Sequence, residues 1–154
     1  MVSLVKKNSK NIANQVINLE IEGLKLLKKS LNKNFDKAVN SIVNCQSKII
    51  LCGVGKSGLI ASKIASTLSS VGSPAFSLSA NDCLHGDLGS ISKKDLLILI
   101  SNSGKSEELL PIIKFANRNK IKLIGIVSKK NSSLYKNSDI QILLPEVREA
   151  GLGI

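Results

Sequence analysis

Five short apolar runs, separated by helical patterns, constrain the fold of this chain most strongly. The runs are Lys48–Cys52, Ala75–Leu78, Asp95–Ile100, Ile121–Val127 and Asp139–Leu144. Apolar residues recur at helical spacing between some of them, over Leu59–Leu68 and Glu107–Ala116. Strands that are apolar on both faces and alternate with helices are typical of a parallel sheet covered on both sides. We therefore predict an α/β fold with five parallel strands in a flavodoxin-like, doubly wound three-layer sandwich.

Two helices are predicted before the first strand. Residues 8–31 carry apolar side chains at mostly three- to four-residue spacing, and Phe35–Val43 repeats the pattern over a shorter stretch. The 154 residues, of which 43% are apolar, fit one domain. We expect a single domain over residues 1–154, with a helical preface at 1–45 and a parallel α/β core at 46–154.

The net charge of +11 raises the question of nucleic-acid binding. Only Arg118 and Arg148 are arginines, and the positive charge is spread along the chain. Aromatic residues, on which single-stranded nucleic acid stacks, amount to 3%. These observations favour a solvated surface whose positive charge attracts small anions, and we expect no nucleic-acid partner.

Other classes of protein are disfavoured by what the sequence lacks. No apolar run approaches the ~18 to 20 residues of a membrane span, so we expect no membrane association. The three cysteines are an odd number without a C-x-x-C pair, which indicates reduced thiols and a cytoplasmic protein. One histidine and scattered cysteines offer no cluster of metal ligands, so we expect no metal and no cofactor.

A glycine-rich segment, Gly53-Val-Gly55-Lys56-Ser57-Gly58, follows the first predicted strand and is called the glycine turn below. Glycines allow the backbone to turn tightly, and a helix N-terminus favours an anion. A nucleoside-triphosphate P-loop needs glycine where this chain has Ile50. A dinucleotide site needs an acid about 20 residues further on, and Asp82 comes slightly late. The remaining alternative is a turn without a ligand, in which Lys56 has little structural use.

A second candidate loop follows the third strand. This serine loop, Ser101-Asn102-Ser103-Gly104-Lys105-Ser106, is succeeded by Glu107 and Glu108. Hydroxyls and a glycine at the end of a strand suit a phosphate monoester. The alternative is an ordinary helix N-cap at Ser106 with acids in the first turn. Three serines favour a ligand, because one would suffice for a cap.

The only histidine, His85, lies in Leu84-His85-Gly86-Asp87-Leu88-Gly89, after the second strand. A lone histidine is often just a polar loop residue. This one stands beside glycines at the edge where open parallel sheets bind ligands, which favours a role in the site.

Four segments together resemble the sugar isomerase (SIS) family, and more narrowly its D-arabinose-5-phosphate isomerase branch. They are the glycine turn, His85-Gly86-Asp87-Leu88-Gly89, Ser101-Asn-Ser-Gly104 and Val147-Arg-Glu149-Ala150. The resemblance implies interconversion of D-ribulose 5-phosphate and D-arabinose 5-phosphate, a step toward Kdo of lipopolysaccharide.

By the same resemblance, the catalytic positions are Lys56, His85, Glu108 and Glu149, and Ser101, Ser103 and Ser106 belong to the phosphate loop. Together with the anion sites expected at the two loops, the predicted substrate- and phosphate-binding residues are Gly53, Gly55, Ser57, Ser101, Asn102, Ser103, Gly104 and Ser106. Proton transfer through an enediol requires a carboxylate base and a polarising cation or imidazole. Glu149 or Glu108 is the base and Lys56 or His85 polarises the carbonyl; spacing does not distinguish them.

The chain departs from the family pattern in two ways. It has Lys105 where an acid is common, and it stops at Ile154, before a further helix and the usual pair of CBS domains. We therefore expect a C-terminally incomplete SIS domain with little isomerase activity, and a homo-oligomer (dimer or tetramer) because Leu143 and Leu144 would be left exposed. The alternative functions are a non-catalytic regulatory module that binds a phosphosugar, and a dinucleotide-binding domain.

Overall fold

The computed structural model describes residues 9–148, which form six α-helices, one short 3₁₀ turn and five β-strands. The helices are α1 (Ser9–Ser30), α2 (Lys33–Val43), α3 (Lys56–Ser70), α4 (Ala80–Leu84), α5 (Leu109–Asn119) and α6 (Ser133–Lys136), and the 3₁₀ turn is Asp87–Ser90. The strands are β1 (Ile49–Gly53), β2 (Ala75–Ser79), β3 (Leu96–Ile100), β4 (Lys122–Val127) and β5 (Ile140–Leu143).

The five strands form one sheet in the order β2-β1-β3-β4-β5, and every neighbouring pair is parallel. This order confirms the predicted flavodoxin-like topology. Gly53, the last residue of β1, is in register with Ser79 of β2 and Ile100 of β3. The segments that follow these three strands therefore leave the sheet side by side, at its carboxyl edge.

The sheet has an apolar layer on each face because successive strand side chains point to opposite sides. Ile50 and Cys52 of β1 pack into the layer that contains α5, whereas Ile49 and Leu51 pack with Ala61 of α3. All five residues of β1 and of β3 are buried, as expected for central parallel strands. Helices cover both faces, so the sandwich has the predicted three layers.

The chain divides into two compact units. One contains Met1–Leu31 and Pro145–Ile154, of which residues 9–31 and 145–148 are described, and it holds the 22-residue helix α1. The other, Asn32–Leu144, contains α2, the whole sheet and the helices that cover it. In α2 the side chain of Asn32 caps the helix by accepting a hydrogen bond of 2.8 Å from Asn34 N–H. Within residues 9–148, no helix has both the length and the apolarity needed to cross a bilayer.

Some local expectations were wrong. The edge strand β2 is only partly buried, because it has a neighbour on one side. Helix α3 begins at Lys56 instead of Leu59, and α5 begins at Leu109 instead of Glu107. Leu143 and Leu144 are half-buried, not exposed, and Leu143 packs against the core layer that holds α5 and α6.

Candidate functional site

The glycine turn brings the end of β1 unusually close to the start of α3. A Cβ on Gly53 would lie 2.7 Å from the carbonyl carbon of Ser57, and one on Gly58 would lie 2.8 Å from the carbonyl oxygen of Gly53. Both distances are shorter than real Cβ contacts, and both involve backbone atoms. These two glycines are therefore required by packing between strand and helix.

Gly55 serves a different purpose in the same turn. Its φ of 56° and ψ of −126° lie in a region that only glycine adopts readily, and the space around a Cβ there is open. It is the N-cap of the 15-residue helix α3 and offers no capping side chain. Lys56 follows as the first helical residue and is exposed, and Ser57 is half-buried. The positive end of α3 and its first residue, Lys56, are thus both at the carboxyl end of β1, an arrangement that favours an anion.

The serine loop is folded around the hydroxyl of Ser101, whose residue is only 4% exposed. Ser101 Oγ accepts a hydrogen bond of 3.0 Å from Gly104 N–H and lies 3.1 Å from Ser106 Oγ. Lys105 N–H donates to Ser103 Oγ at 3.2 Å. Asn102 and Ser103 are exposed, and so is Lys105. The loop therefore presents polar groups to solvent at the end of β3, beside the glycine turn.

The alternative explanation of the serine loop, an N-cap at Ser106, is wrong. Helix α5 begins at Leu109, and its N-cap is Glu108, which makes no capping hydrogen bond with its side chain. The hydroxyl of Ser106 instead shares a hydrogen bond with the hydroxyl of Ser101. The serines thus shape the loop itself.

The candidate catalytic residues are distributed over the ends of three neighbouring strands. Lys56 follows β1, His85 follows β2 through α4, and Glu108 follows β3 through the serine loop. His85 is exposed, and its backbone N–H donates to the backbone carbonyl of Asp82 at 2.9 Å. Glu108 is half-buried. The fourth candidate, Glu149, lies outside the described residues.

Two buried thiols lie near this edge but are poor nucleophiles. Burial, together with neighbouring Cys83, raises the pKa of the Cys52 thiol to about 12. Burial also raises the pKa of Cys83, and Asp87 and Asp82 add to the effect. Both thiols therefore remain protonated at neutral pH. In the described part of the chain, no group of three or more His, Cys, Asp or Glu residues is placed to hold a metal ion.

The motifs did not single out Ser128, which follows β4 and contacts the serine loop. Ser128 Oγ donates to Asn102 Oδ1 at 2.6 Å, and Ser128 N–H donates to the Asn102 carbonyl at 3.0 Å. The two residues are 26 positions apart. Only the strand order, which sets β4 beside β3, brings them together, so no local pattern could have revealed the pair.

A groove of about 890 Å³ lies at the opposite edge of the sheet, between α2 and the amino-terminal ends of β3, β4 and β5. Lysines and amide side chains make up much of its wall. None of the residues that the motifs single out lines it. The candidate site is therefore confined to the carboxyl edge, where open parallel sheets bind ligands.

Sequence comparison finds relatives for most of the chain. It is 41% identical over 136 residues to the arabinose 5-phosphate isomerase KdsD of Yersinia pestis, a match that covers 88% of this chain and 42% of that protein. It is 40% identical over 145 residues to the uncharacterized protein RP505 of Rickettsia prowazekii, covering 94% of this chain and 46% of that protein. The chain thus spans less than half the length of these curated relatives.

Solved structures support the same relationship. A protein of Escherichia coli CFT073, c3406, solved in complex with arabinose 5-phosphate, superposes with a TM-score of 0.89 at 32% identity and covers 95% of this chain and 78% of its own. A putative sugar-phosphate isomerase from Listeria monocytogenes superposes with a TM-score of 0.91 at 30% identity, covering 96% of this chain and 78% of its own. Residues 42–154 match the family described as the SIS domain. The chain therefore belongs to the SIS domain family, as its motifs predicted.

Proposed function

We propose that the carboxyl edge of the sheet binds a phosphosugar. The observation that carries this proposal is the register of β1 with β3, which sets the glycine turn and the serine loop side by side. One loop offers a helix N-terminus and Lys56, and the other offers the exposed polar residues Asn102 and Ser103. Both suit a phosphate monoester. The similarity to KdsD proteins and to the protein solved with arabinose 5-phosphate supports the same class of ligand.

The proposed reaction is the aldose–ketose interconversion of D-arabinose 5-phosphate and D-ribulose 5-phosphate, in the supply of Kdo for lipopolysaccharide. In the direction of the ketose, a carboxylate takes the proton from C2 of the open-chain aldose, and the carbonyl oxygen gains a proton to give the enediol. The base then returns a proton to C1 as the hydroxyl at C2 loses its own. Glu108 or Glu149 is the proposed base, and Lys56 or His85 polarises the carbonyl.

We also propose a domain organisation, a cellular location and an assembly for the protein. Residues 1–154 act as one SIS domain, with residues 1–45 as a helical preface to the α/β core. The protein is cytoplasmic and uses no cofactor. It forms a homo-oligomer, and its partner is the sugar phosphate instead of a nucleic acid or a membrane.

Exchange of the C2 proton of arabinose 5-phosphate in deuterated water, followed by NMR, tests this function, because it detects enediol formation even when turnover is slow. Wild type should incorporate deuterium at C2. If Glu108 is the base, Glu108→Gln should slow exchange at least about 100-fold. Its control is Glu107→Gln, an exposed neighbour that should exchange like wild type.

The other results of this experiment are also informative. Loss of exchange in Glu149→Gln with retention in Glu108→Gln would assign the base to Glu149. A chain that binds arabinose 5-phosphate but catalyses no exchange would contradict the isomerase and favour the alternative, a regulatory module that binds the phosphosugar without converting it.

A further inference from the structure

The end of β4 holds the serine loop through one pair of residues, Ser128 and Asn102. Ser128 is a double donor to Asn102: its N–H reaches the backbone carbonyl at 3.0 Å and its hydroxyl reaches the side-chain oxygen Oδ1 at 2.6 Å. Two hydrogen bonds between the same two residues fix both the position and the orientation of Asn102. Asn102 is exposed, so its orientation is not determined by burial in the core.

The orientation of Asn102 decides where the next amide points. A peptide group is planar and trans, so the N–H of residue 103 points opposite to the carbonyl of residue 102. The Asn102 carbonyl points toward Ser128 at the end of β4. Strand β3 lies between β4 and β1, and the glycine turn follows β1. The Ser103 N–H is thereby directed away from β4, to the side where the glycine turn lies.

A second attachment holds the loop two residues later. Leu134 N–H, from α6, donates to the Gly104 carbonyl at 3.1 Å. Gly104 has a φ of 63°, and a Cβ there would overlap the side chain of Ser132. By the same peptide geometry, the Lys105 N–H points away from α6, and it is accepted by Ser103 Oγ. The segment from Ser128 to Leu134 thus anchors alternate carbonyls of the serine loop.

We propose that Ser128 is a positioning residue for phosphate binding, which acts by holding Asn102 so that the Ser103 amide faces the phosphate group. This inference rests on the proposed function, because it assigns the phosphate of that ligand to the serine loop. Ser128 itself does not contact the ligand. Its backbone N–H sets the direction of the Asn102 carbonyl, and its hydroxyl steadies Asn102 in that orientation through the side-chain oxygen.

The test is calorimetric titration of the full chain with arabinose 5-phosphate and with inorganic phosphate. Ser128→Ala removes the hydroxyl but keeps the backbone hydrogen bond to Asn102, so we expect about three- to tenfold weaker binding of both ligands. Ser128→Thr keeps the hydroxyl and should restore affinity. The matched control is Ser133→Ala, in the same segment, where the hydrogen bonds from Asn137 are accepted by the backbone carbonyl.

A double-mutant cycle distinguishes positioning from general loosening of the loop. If Ser128 acts through the Asn102 side chain, Ser128→Ala should have no further effect on affinity in an Asn102→Ala background. A loss that persists in that background, or wild-type affinity in Ser128→Ala, would overturn this inference and leave the proposed function intact. A wild-type chain that binds neither ligand would overturn the proposed function, and this inference with it.

Discussion

Gly58 lies against Gly53 so closely that a Cβ on Gly58 would be 2.8 Å from the Gly53 carbonyl oxygen. The contact joins the last residue of β1 to the first turn of α3. The contact determines the distance between the amino end of α3 and the edge of the sheet, and therefore the position of Lys56, the first residue of α3. The packing and the candidate site thus depend on the same pair of glycines.

The first prediction concerns this contact. Gly58→Ala should lower the free energy of unfolding by about 1 to 3 kcal/mol, because the added methyl group meets backbone that must shift. Chemical denaturation measures the difference. Gly89→Ala is the control, since nothing lies within 4 Å of a Cβ there, and it should be nearly neutral. If Gly58→Ala changes the free energy of unfolding as little as Gly89→Ala does, the strand and the helix can move apart without loss of stability.

The second prediction compares two exposed lysines in the two loops. Lys56→Ala should weaken binding of arabinose 5-phosphate about 10- to 150-fold, which corresponds to the loss of one charge-assisted hydrogen bond. Lys105→Ala should change affinity less than about threefold, because an exposed charge without a specific contact contributes little. Titration calorimetry on both variants decides the matter. If both bind alike, Lys56 is not a phosphate contact.

Most of the sheet could be predicted from the sequence, because buried parallel strands are continuous apolar runs. Each predicted run contains the observed strand to within one residue at its ends. The order of the strands followed from the right-handed crossover rule. The edge strand β2 was also found, since Ala75, Phe76 and Leu78 retain an apolar pattern although they are only half-buried.

The parts that could not be predicted depend on tertiary contacts. Helices α4 and α6 have five and four residues, too short for a periodic pattern, and each is held by a serine cap, Ser79 and Ser132. The loops of the candidate site were found from glycine and serine spacing. The contact between Ser128 and Asn102 could not be predicted, because the predicted strand order sets β4 beside β3 but does not say which residues of the loops that follow them meet.

The third prediction concerns pH and the opposite edge of the sheet. The carboxylate of Asp95, buried before β3, accepts hydrogen bonds from Ser47 Oγ at 2.6 Å, Ser92 N–H at 2.7 Å and Lys48 N–H at 3.3 Å. Burial by itself raises the pKa of Asp95, but these hydrogen bonds outweigh it and the pKa lies below its ordinary value. The carboxylate therefore stabilises the fold above the ordinary pKa of about 4, and this contribution is lost as the pH falls through the lowered value.

Asp95→Asn should accordingly lower the free energy of unfolding at pH 7 by about 1 to 3 kcal/mol. The difference from wild type should shrink as the pH falls below about 4. Chemical denaturation of both proteins at a series of pH values, from 7 to below about 4, measures this difference in the free energy of unfolding. Glu107→Gln, which alters an exposed carboxylate, is the control. A difference that stays constant with pH would assign the loss to packing instead of charge.

The fourth prediction concerns assembly. Helix α1 has no buried residue, and Ile17, Ile21 and Leu24, at spacings of four and three, are 51%, 42% and 64% exposed. Such an apolar stripe favours association with a second copy. We expect sedimentation to show a dimer or tetramer of the wild type. Leu24→Gln should shift the equilibrium from this oligomer toward the monomer. Val71→Gln, which alters an exposed apolar residue outside α1, should leave the assembly unchanged. A wild-type monomer at every concentration would contradict the proposed homo-oligomer.

The two loops are expected to bind the phosphate group of a sugar. Calorimetric titration of the chain with arabinose 5-phosphate and, in parallel, with unphosphorylated arabinose measures this binding without depending on turnover. We predict saturable binding of the phosphate ester without added metal, and affinity for arabinose at least about 100-fold weaker, since the charge-assisted contacts would be missing. Equal affinity for the two sugars, or binding of the ester only after a divalent metal is added, would show that the two loops do not form a phosphate site.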